Sequence, residues 1–279
     1  MGRVRLAAYT MLTMSAFAAN SLLCRLALKT TTIDPASFTA VRIFSGALML
    51  GLVAGWRFAS SGTHSSWRGG FALFVYVAAF SFSYLTLSAG TGALLLFGSV
   101  QITMLLAGWI AGERMGKLQS IGFIAALIGV VILMLPGVEA PALSGSALMI
   151  VSGIAWGAYS LLGRGIANPT LATTGNFMRA VPFAMVLALF SIPWIKLDTS
   201  GLLYALLSGA LTSGLGYVLW YRVLQAMRAI TAATVQLSVP MLAALGGTIW
   251  LGEAVTAHLL IASLLILGGI GLVLRFSRA

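Results

Sequence analysis

Apolar residues run through this chain in stretches of about twenty, with the polar residues collected in short gaps between them. Divided at charged residues or at breaks containing Pro, Gly, Ser or Asn, ten stretches result. They fall roughly at 5–24, 36–56, 69–88, 91–111, 118–135, 143–163, 172–194, 201–221, 231–251 and 257–275. A helix needs about 20 mostly apolar residues to cross the hydrocarbon of a bilayer. The runs are continuous and lack in-and-out alternation, which excludes a transmembrane barrel. The pattern therefore predicts an all-α polytopic membrane protein of ten transmembrane helices, alternating in direction across short loops that leave no room for a soluble domain.

Composition agrees. Of the 279 residues, 60% are hydrophobic and 8% charged, and mean hydropathy is +1.03, whereas a soluble domain carries about a quarter charged residues. The net charge of +11 would point to nucleic acid in a soluble protein, but the basic residues are scattered singly and form no patch. Their location reads as topology. With the N-terminus in the cytoplasm, Arg3, Arg5, Arg57, Arg68, Arg114, Lys117, Arg164, Arg222, Arg228, Arg275 and Arg278 fall inside, and only Arg25, Lys29 and Lys196 outside. Both termini are thus expected in the cytoplasm. Arg3, Arg5 and the run to Ala16-Phe17-Ala18 imitate a secretory signal. A matching stretch, Ala155-Trp156-Gly157, lies mid-chain, so the first is read as a retained helix. The single Cys24 excludes an internal disulfide framework.

The chain repeats itself. ANSLLCR (19–25) returns as AYSLLGR (158–164), so that Ser21, Leu22, Leu23 and Arg25 recur at an offset of 139. Arg42 recurs as Arg179 at 137; Gly112, Glu113 and Gly129 recur as Gly252, Glu253 and Gly269 at 140. Five spans per copy is an odd number, so the second copy enters the membrane from the opposite side. The expectation is an inverted-topology repeat, residues 1–138 and 139–279, of the kind that lets a secondary transporter open one central site to either side.

The segments AGERMGKLQSIGFIAALIGVVIL (111–133) and LGEAVTAHLLIASLLILGGIGLVLR (251–275) resemble the paired repeats of the EamA-type drug/metabolite transporters, in which a Gly-Glu ends a fourth span before a Gly-rich fifth. The resemblance covers all ten spans. It implies a ten-helix carrier of the bacterial inner membrane, commonly an exporter of amino acids, metabolites or toxic compounds. The aromatic-rich first and third spans are similar to those of YddG-type aromatic amino acid exporters.

Polar and aromatic groups at membrane depth are the candidates for the substrate site, because hydrocarbon penalises them unless they face the bundle interior. Phe17 and Asn20 in the first span correspond to Trp156 and Tyr159 in the sixth. The shared Ser21 and Ser160 read as helix packing. Tyr76, Phe80 and Tyr84 stand four apart on one helix face, either a packing stripe or a pathway wall. Gln101 and Gln236 are the glutamines within spans and can bind substrate or join helices; Pro240 should free a carbonyl near Gln236. On this reading Gln236→Ala and Trp156→Ala both cut transport. Arg42 and Arg179 are charges inside spans and are read as structural, each reaching an interface or a helix end. Glu113 and Glu253 are read as structural too, satisfying exposed helix-start amides.

No Asp or Glu lies within any span, so neutral or zwitterionic substrates are expected, exported down a gradient or through coupling that no residue reveals. There is no Walker phosphate loop for ATP, and no cofactor or metal site is expected. A monomer bound to the bilayer and a small-molecule substrate is the expected unit. A nucleotide-sugar or lipid-linked sugar carrier of the same fold would need a more basic cavity. An embedded enzyme would need a nucleophile with its base or clustered ligands, and a channel a repeated polar ring.

Overall fold

The computed structural model describes residues 3–55, 65–112, 116–134, 141–163, 166–224, 226 and 235–276; Glu113 and Arg164 lie outside them. The helices are α1 (Arg3–Thr30), α2 (Pro35–Ala54), α3 (Trp67–Ser83), α4 (Ala89–Ile110), α5 (Lys117–Met134), α6 (Leu143–Leu162) and α7 (Pro169–Phe190). Next, α8 (Thr199–Leu207) runs through a π-helical segment, Ser208–Leu215, into α9 (Gly216–Leu224), and α10 (Ser238–Leu251) and α11 (Ala257–Phe276) complete the bundle. No strand occurs among the described residues. Among the described residues seven spans are long and apolar enough to cross a membrane: α1, α2, α4, α6, α7, the continuous α8–α9 and α11. The remaining α3, α5 and α10 are shorter, at 17, 18 and 14 residues. The chain is a polytopic helical membrane protein.

Local chemistry sets the helix starts. The Asp34 carboxylate accepts the Ala36 and Ser37 amides at 3.0 and 2.9 Å ahead of Pro35. Ser66, Ser88, Asn168 and Asp198 cap α3, α4, α7 and α8 in the same way. Each cap occupies an amide that hydrocarbon cannot solvate. Asp34 also accepts the Lys196 amide at 3.0 Å, which fastens the α1–α2 link to the α7–α8 link.

The distribution of side chains is that of a protein dissolved in lipid. Leu52, Phe44, Met185, Val186, Leu189, Ile249 and Leu264 are exposed, while Thr13, Asn20, Ser21, Arg42, Ser81, Ser152, Thr174, Ser208 and Ser213 are buried. An apolar surface of this extent is stable only against hydrocarbon, and the polar groups find their partners inside. Small residues bring the helices close: a Cβ on Gly153 would sit 2.5 Å from that of Ser99, so this glycine is spent on the contact of α6 with α4 within the chain.

The first helix is longer than the apolar run predicts, because its charges are matched instead of ending it. Arg25 Nε donates to Glu253 Oε1 at 2.9 Å and its Nη1 to the Tyr84 and Leu85 carbonyls, and Lys29 donates to the Leu251 carbonyl. The other oxygen of Glu253 accepts the Ala89 amide, the first of α4, at 2.7 Å. One carboxylate therefore ties the end of α1, the start of α4 and the turn after α10. Both partners of this ion pair are largely withdrawn from solvent, with side chains 14% and 9% exposed. Glu253→Ala would leave a guanidinium and a helix-start amide unpaired, at a cost of about 2–4 kcal/mol. Thermal unfolding in detergent should show the loss, and Arg25→Ala combined with Glu253→Ala should destabilise by less than the sum of the single changes.

Candidate functional site

In the middle of the bundle α1, α3, α4, α6 and α9 close around a cavity of about 20 Å³, room for little more than one water. Its wall is Phe17, Asn20 and Ser21 from α1, Tyr76 and Phe80 from α3, Leu96 and Phe97 from α4, Trp156 from α6 and Tyr217 from α9. The rings pack on one another. Trp156 lies 4.8 Å from Tyr76, 5.1 Å from Tyr217 and 5.4 Å from Tyr159, and Phe17 meets Tyr217 and Trp220 edge-on at 6.0 and 5.8 Å. Such contacts are worth about 0.5–1.5 kcal/mol each beyond burial, and every one of them must loosen before a larger guest enters.

Beside the rings runs a chain of hydrogen bonds. Asn20 Oδ1 accepts the hydroxyls of Ser208 at 2.6 Å and Thr212 at 3.1 Å, and its Nδ2 donates to the Tyr76 hydroxyl at 3.5 Å. That hydroxyl also accepts Arg42 Nη2 at 3.0 Å, and Arg42 Nε donates to Ser213 at 3.3 Å. Ser208, Thr212 and Ser213 all belong to the π-helical segment, whose wider turn is often found at functional sites. The segment lies directly on α2. A Cβ on Gly209 would collide with the Arg42 carbonyl and the Ser45 hydroxyl, so only glycine allows the approach.

Of the residues the sequence nominates, Phe17, Asn20, Tyr76, Phe80 and Trp156 meet at the cavity. Tyr84 is buried one turn further along α3, packed on Phe80 at 4.8 Å and donating to the Ala89 carbonyl. Tyr159 is buried beside Trp156, its hydroxyl donating to Thr173, which donates in turn to Tyr221. Gln101 is buried in α4 and Gln236 half-buried ahead of α10; neither lines the cavity. Arg179 donates to the Ser65 hydroxyl and the Gly175 carbonyl and stands over the Trp67 ring, toward a bundle end. Arg42 reaches no interface and is fully buried. Sequence reasoning passed over Tyr217, Leu96, Phe97 and the hydroxyls of the π segment as site residues. A signal for the last was present in the four-residue spacing of Ser208 and Thr212, which puts both on one helical face. Among the described residues no group of His, Cys, Asp and Glu could hold a metal.

A helical bundle with an apolar, lipid-facing surface around an aromatic and hydrogen-bonding chamber fits a membrane transporter, and the comparisons support that class. Residues 143–275 match the EamA-like transporter family. The chain is 55% identical to an uncharacterized protein of Pseudomonas aeruginosa over 97% of its own length and 95% of that protein's. It is 26% identical to an uncharacterized transporter of Archaeoglobus fulgidus (74% of this chain, 75% of that one) and 24% identical to a Salmonella typhimurium protein named a probable amino-acid metabolite efflux pump (72% and 74%). In fold it is similar to a solved crystal structure with a TM-score of 0.66 at 19% identity, over 98% of this chain and 99% of that one. The chain belongs to the EamA-like transporter family.

Gly209 offers a direct check of the α2 contact. Gly209→Ala should destabilise the protein by about 1–3 kcal/mol or more through overpacking, visible as lost monodisperse material on size exclusion. Gly268→Ala, with nothing within 4 Å of its Cβ, should behave as the parent.

Proposed function

We propose that this protein exports amino acids, aromatic or neutral, and related small metabolites or toxic compounds across the bacterial inner membrane by alternating access. On this reading ten helices form two inverted halves, residues 1–138 and 139–279, with both termini cytoplasmic, acting as a monomer without ATP. The observation that carries it is the aromatic chamber itself. It is built from α1 and α3 of one half and from α6 and α9, their counterparts, of the other.

The pairing of helices supports the inverted repeat. The contact of α3 with α6 has its counterpart in that of the α8–α9 span with α1, α4 with α6 in α10 with α1, and α3 with α7 in the α8–π span with α2, while α2 meets α7 and α5 meets α11. Gly112 and Gly252, 140 residues apart and each followed by Glu, both have positive φ, 92° and 63°. The link between Arg25 and Glu253 then closes the outer end, and Arg164 and Glu113 occupy the equivalent positions in the sequence of the other copy. A cavity this small has no room for an amino acid, so on this reading the halves must part to admit cargo. Apolar rings with a few fixed polar groups suit a small amphiphile, and the name carried by the Salmonella relative, an amino-acid metabolite efflux pump, favours amino acids and the outward direction.

Counterflow of labelled amino acids in proteoliposomes, with and without an imposed proton gradient, tests this. Exchange of at least one aromatic or neutral amino acid is expected, and exchange of none would sink the exporter reading. Trp156→Ala should lower exchange about tenfold or more through loss of a ring shared by three aromatic contacts. Gln236→Ala, away from the cavity, should leave it within about twofold, against the expectation from sequence; equal loss in both would return the site to the neighbourhood of α10.

A further inference from the structure

The buried charge of Arg42 has no counter-charge among the described residues. Its side chain is fully buried; Nε and Nη2 donate to Ser213 and Tyr76, but Nη1 has no acceptor. The guanidinium faces the rings of Phe80 and Tyr76, with Cζ 4.8 and 5.3 Å from their centroids. Among the described residues every carboxylate is engaged elsewhere: Asp34 and Asp198 cap helices and Glu253 holds Arg25. In the sequence, Glu113 and Glu139 fall in the links on either side of α5. Cation–π contacts offset only part of the several kcal/mol that desolvating a guanidinium costs.

Two more donors converge on the same place. The Tyr76 oxygen accepts from Arg42 and Asn20, which leaves its own proton to donate to a further group. The buried Tyr217 hydroxyl faces Tyr76 and Arg42 and makes no well-formed hydrogen bond with either. Tyr76 and Tyr217 both line the cavity, and Arg42 stands directly behind the wall they make with Phe80. A guanidinium N–H without an acceptor, directly behind a cavity wall that carries two phenolic hydroxyls, is a donor set suited to an anion.

We infer that Arg42, with Tyr76 and Tyr217, receives the carboxylate of the transported molecule, and that a negatively charged carboxylate is required for binding. This rests on the central chamber being the substrate site and assigns Arg42 a binding role beside its structural one. The chemistry favours a single carboxylate. One cation balances one negative charge, whereas a phosphate dianion would leave an uncompensated charge in the bundle. The remainder of the chamber, Phe17, Phe97 and Trp156, suits an apolar or aromatic body attached to that carboxylate. Charge-assisted hydrogen bonds to an ionised partner are the stronger kind, so the acid should be distinguished sharply from its uncharged amide.

The test is equilibrium binding to the purified full-length protein, read by tryptophan fluorescence, using 3-phenylpropionate and 3-phenylpropionamide, which match in shape and differ in charge. The parent protein is expected to bind the acid about 10- to 100-fold more tightly than the amide. Arg42→Gln should erase that preference while keeping affinity for the amide, and Arg42→Lys should restore part of it; a purely structural arginine would lower both affinities together. Equal affinities in the parent, saturable binding of neither, or a preference that survives Arg42→Gln would overturn the inference. If Arg42→Gln does not fold, the acid-to-amide ratio of the parent decides alone. Acid selectivity without counterflow of any amino acid would fail the exporter reading and leave the carboxylate site standing; counterflow with equal acid and amide affinities would do the reverse.

Discussion

A hydrogen-bonded chain through the middle of the bundle, from the π segment to Asn20, Tyr76 and Arg42, is the constraint on which the rest of the structure depends. It joins α1, α2, α3 and the α8–α9 span at one depth. In hydrocarbon these groups have no water to fall back on, and interhelical hydrogen bonds of this kind are worth about 0.6–2 kcal/mol each. Their larger effect is on specificity. A register that separated Asn20 from Ser208, or Tyr76 from Arg42, would strand several buried polar groups at once. Lipid-facing positions carry no such demand, and leucine, isoleucine and phenylalanine fill them without regard to one another.

Most of the architecture was legible because its cause is local. Apolar stretches near twenty residues mark spans, and the proposed duplication rests on the recurrence of Arg25, Arg42 and Glu113 in order, since leucine and alanine matches say little. The errors fell where chemistry between helices overrides a local break. Arg25 reads as the end of a span, yet α1 continues through it because Glu253 and two carbonyls receive the charge. The π segment was not legible at all, since hydropathy is blind to winding. Its looser turn brings Thr212 and Tyr217, five residues apart and on different faces of an ordinary α-helix, onto the side that faces α1 and the cavity.

The candidate site was half legible for a related reason. Phe17, Asn20, Tyr76, Phe80 and Trp156 declare themselves as aromatic or amide groups at membrane depth. Gln101 and Gln236 declare themselves equally loudly, and only the packing shows that they lie off the cavity. Arg42 was read through its twin. Arg179 reaches a bundle end, and symmetry suggested the same for Arg42. The surroundings break that symmetry: Arg179 has Ser65 and Trp67 near a helix start, whereas Arg42 points at Tyr76 and Phe80 on a central helix and is shut in by the π segment.

On the proposed duplication the chain has two frames, and function depends on where they differ. Even the shared serines part company: Ser21 lines the cavity beside Asn20, whereas Ser160 donates to the Trp156 carbonyl of its own helix. Asn20 meets hydroxyls of the π segment while its counterpart Tyr159 meets Thr173 and stacks on Trp156. An amide and a phenol at equivalent positions cannot make the same contacts, so the chamber between them is polar on one wall and aromatic on the other. A symmetric chamber would present the same wall from both sides and could not orient an asymmetric guest. With its polar wall held against Arg42 and its aromatic wall against Trp156, this one offers unlike surfaces on its two sides, as the proposed transport of an asymmetric guest requires.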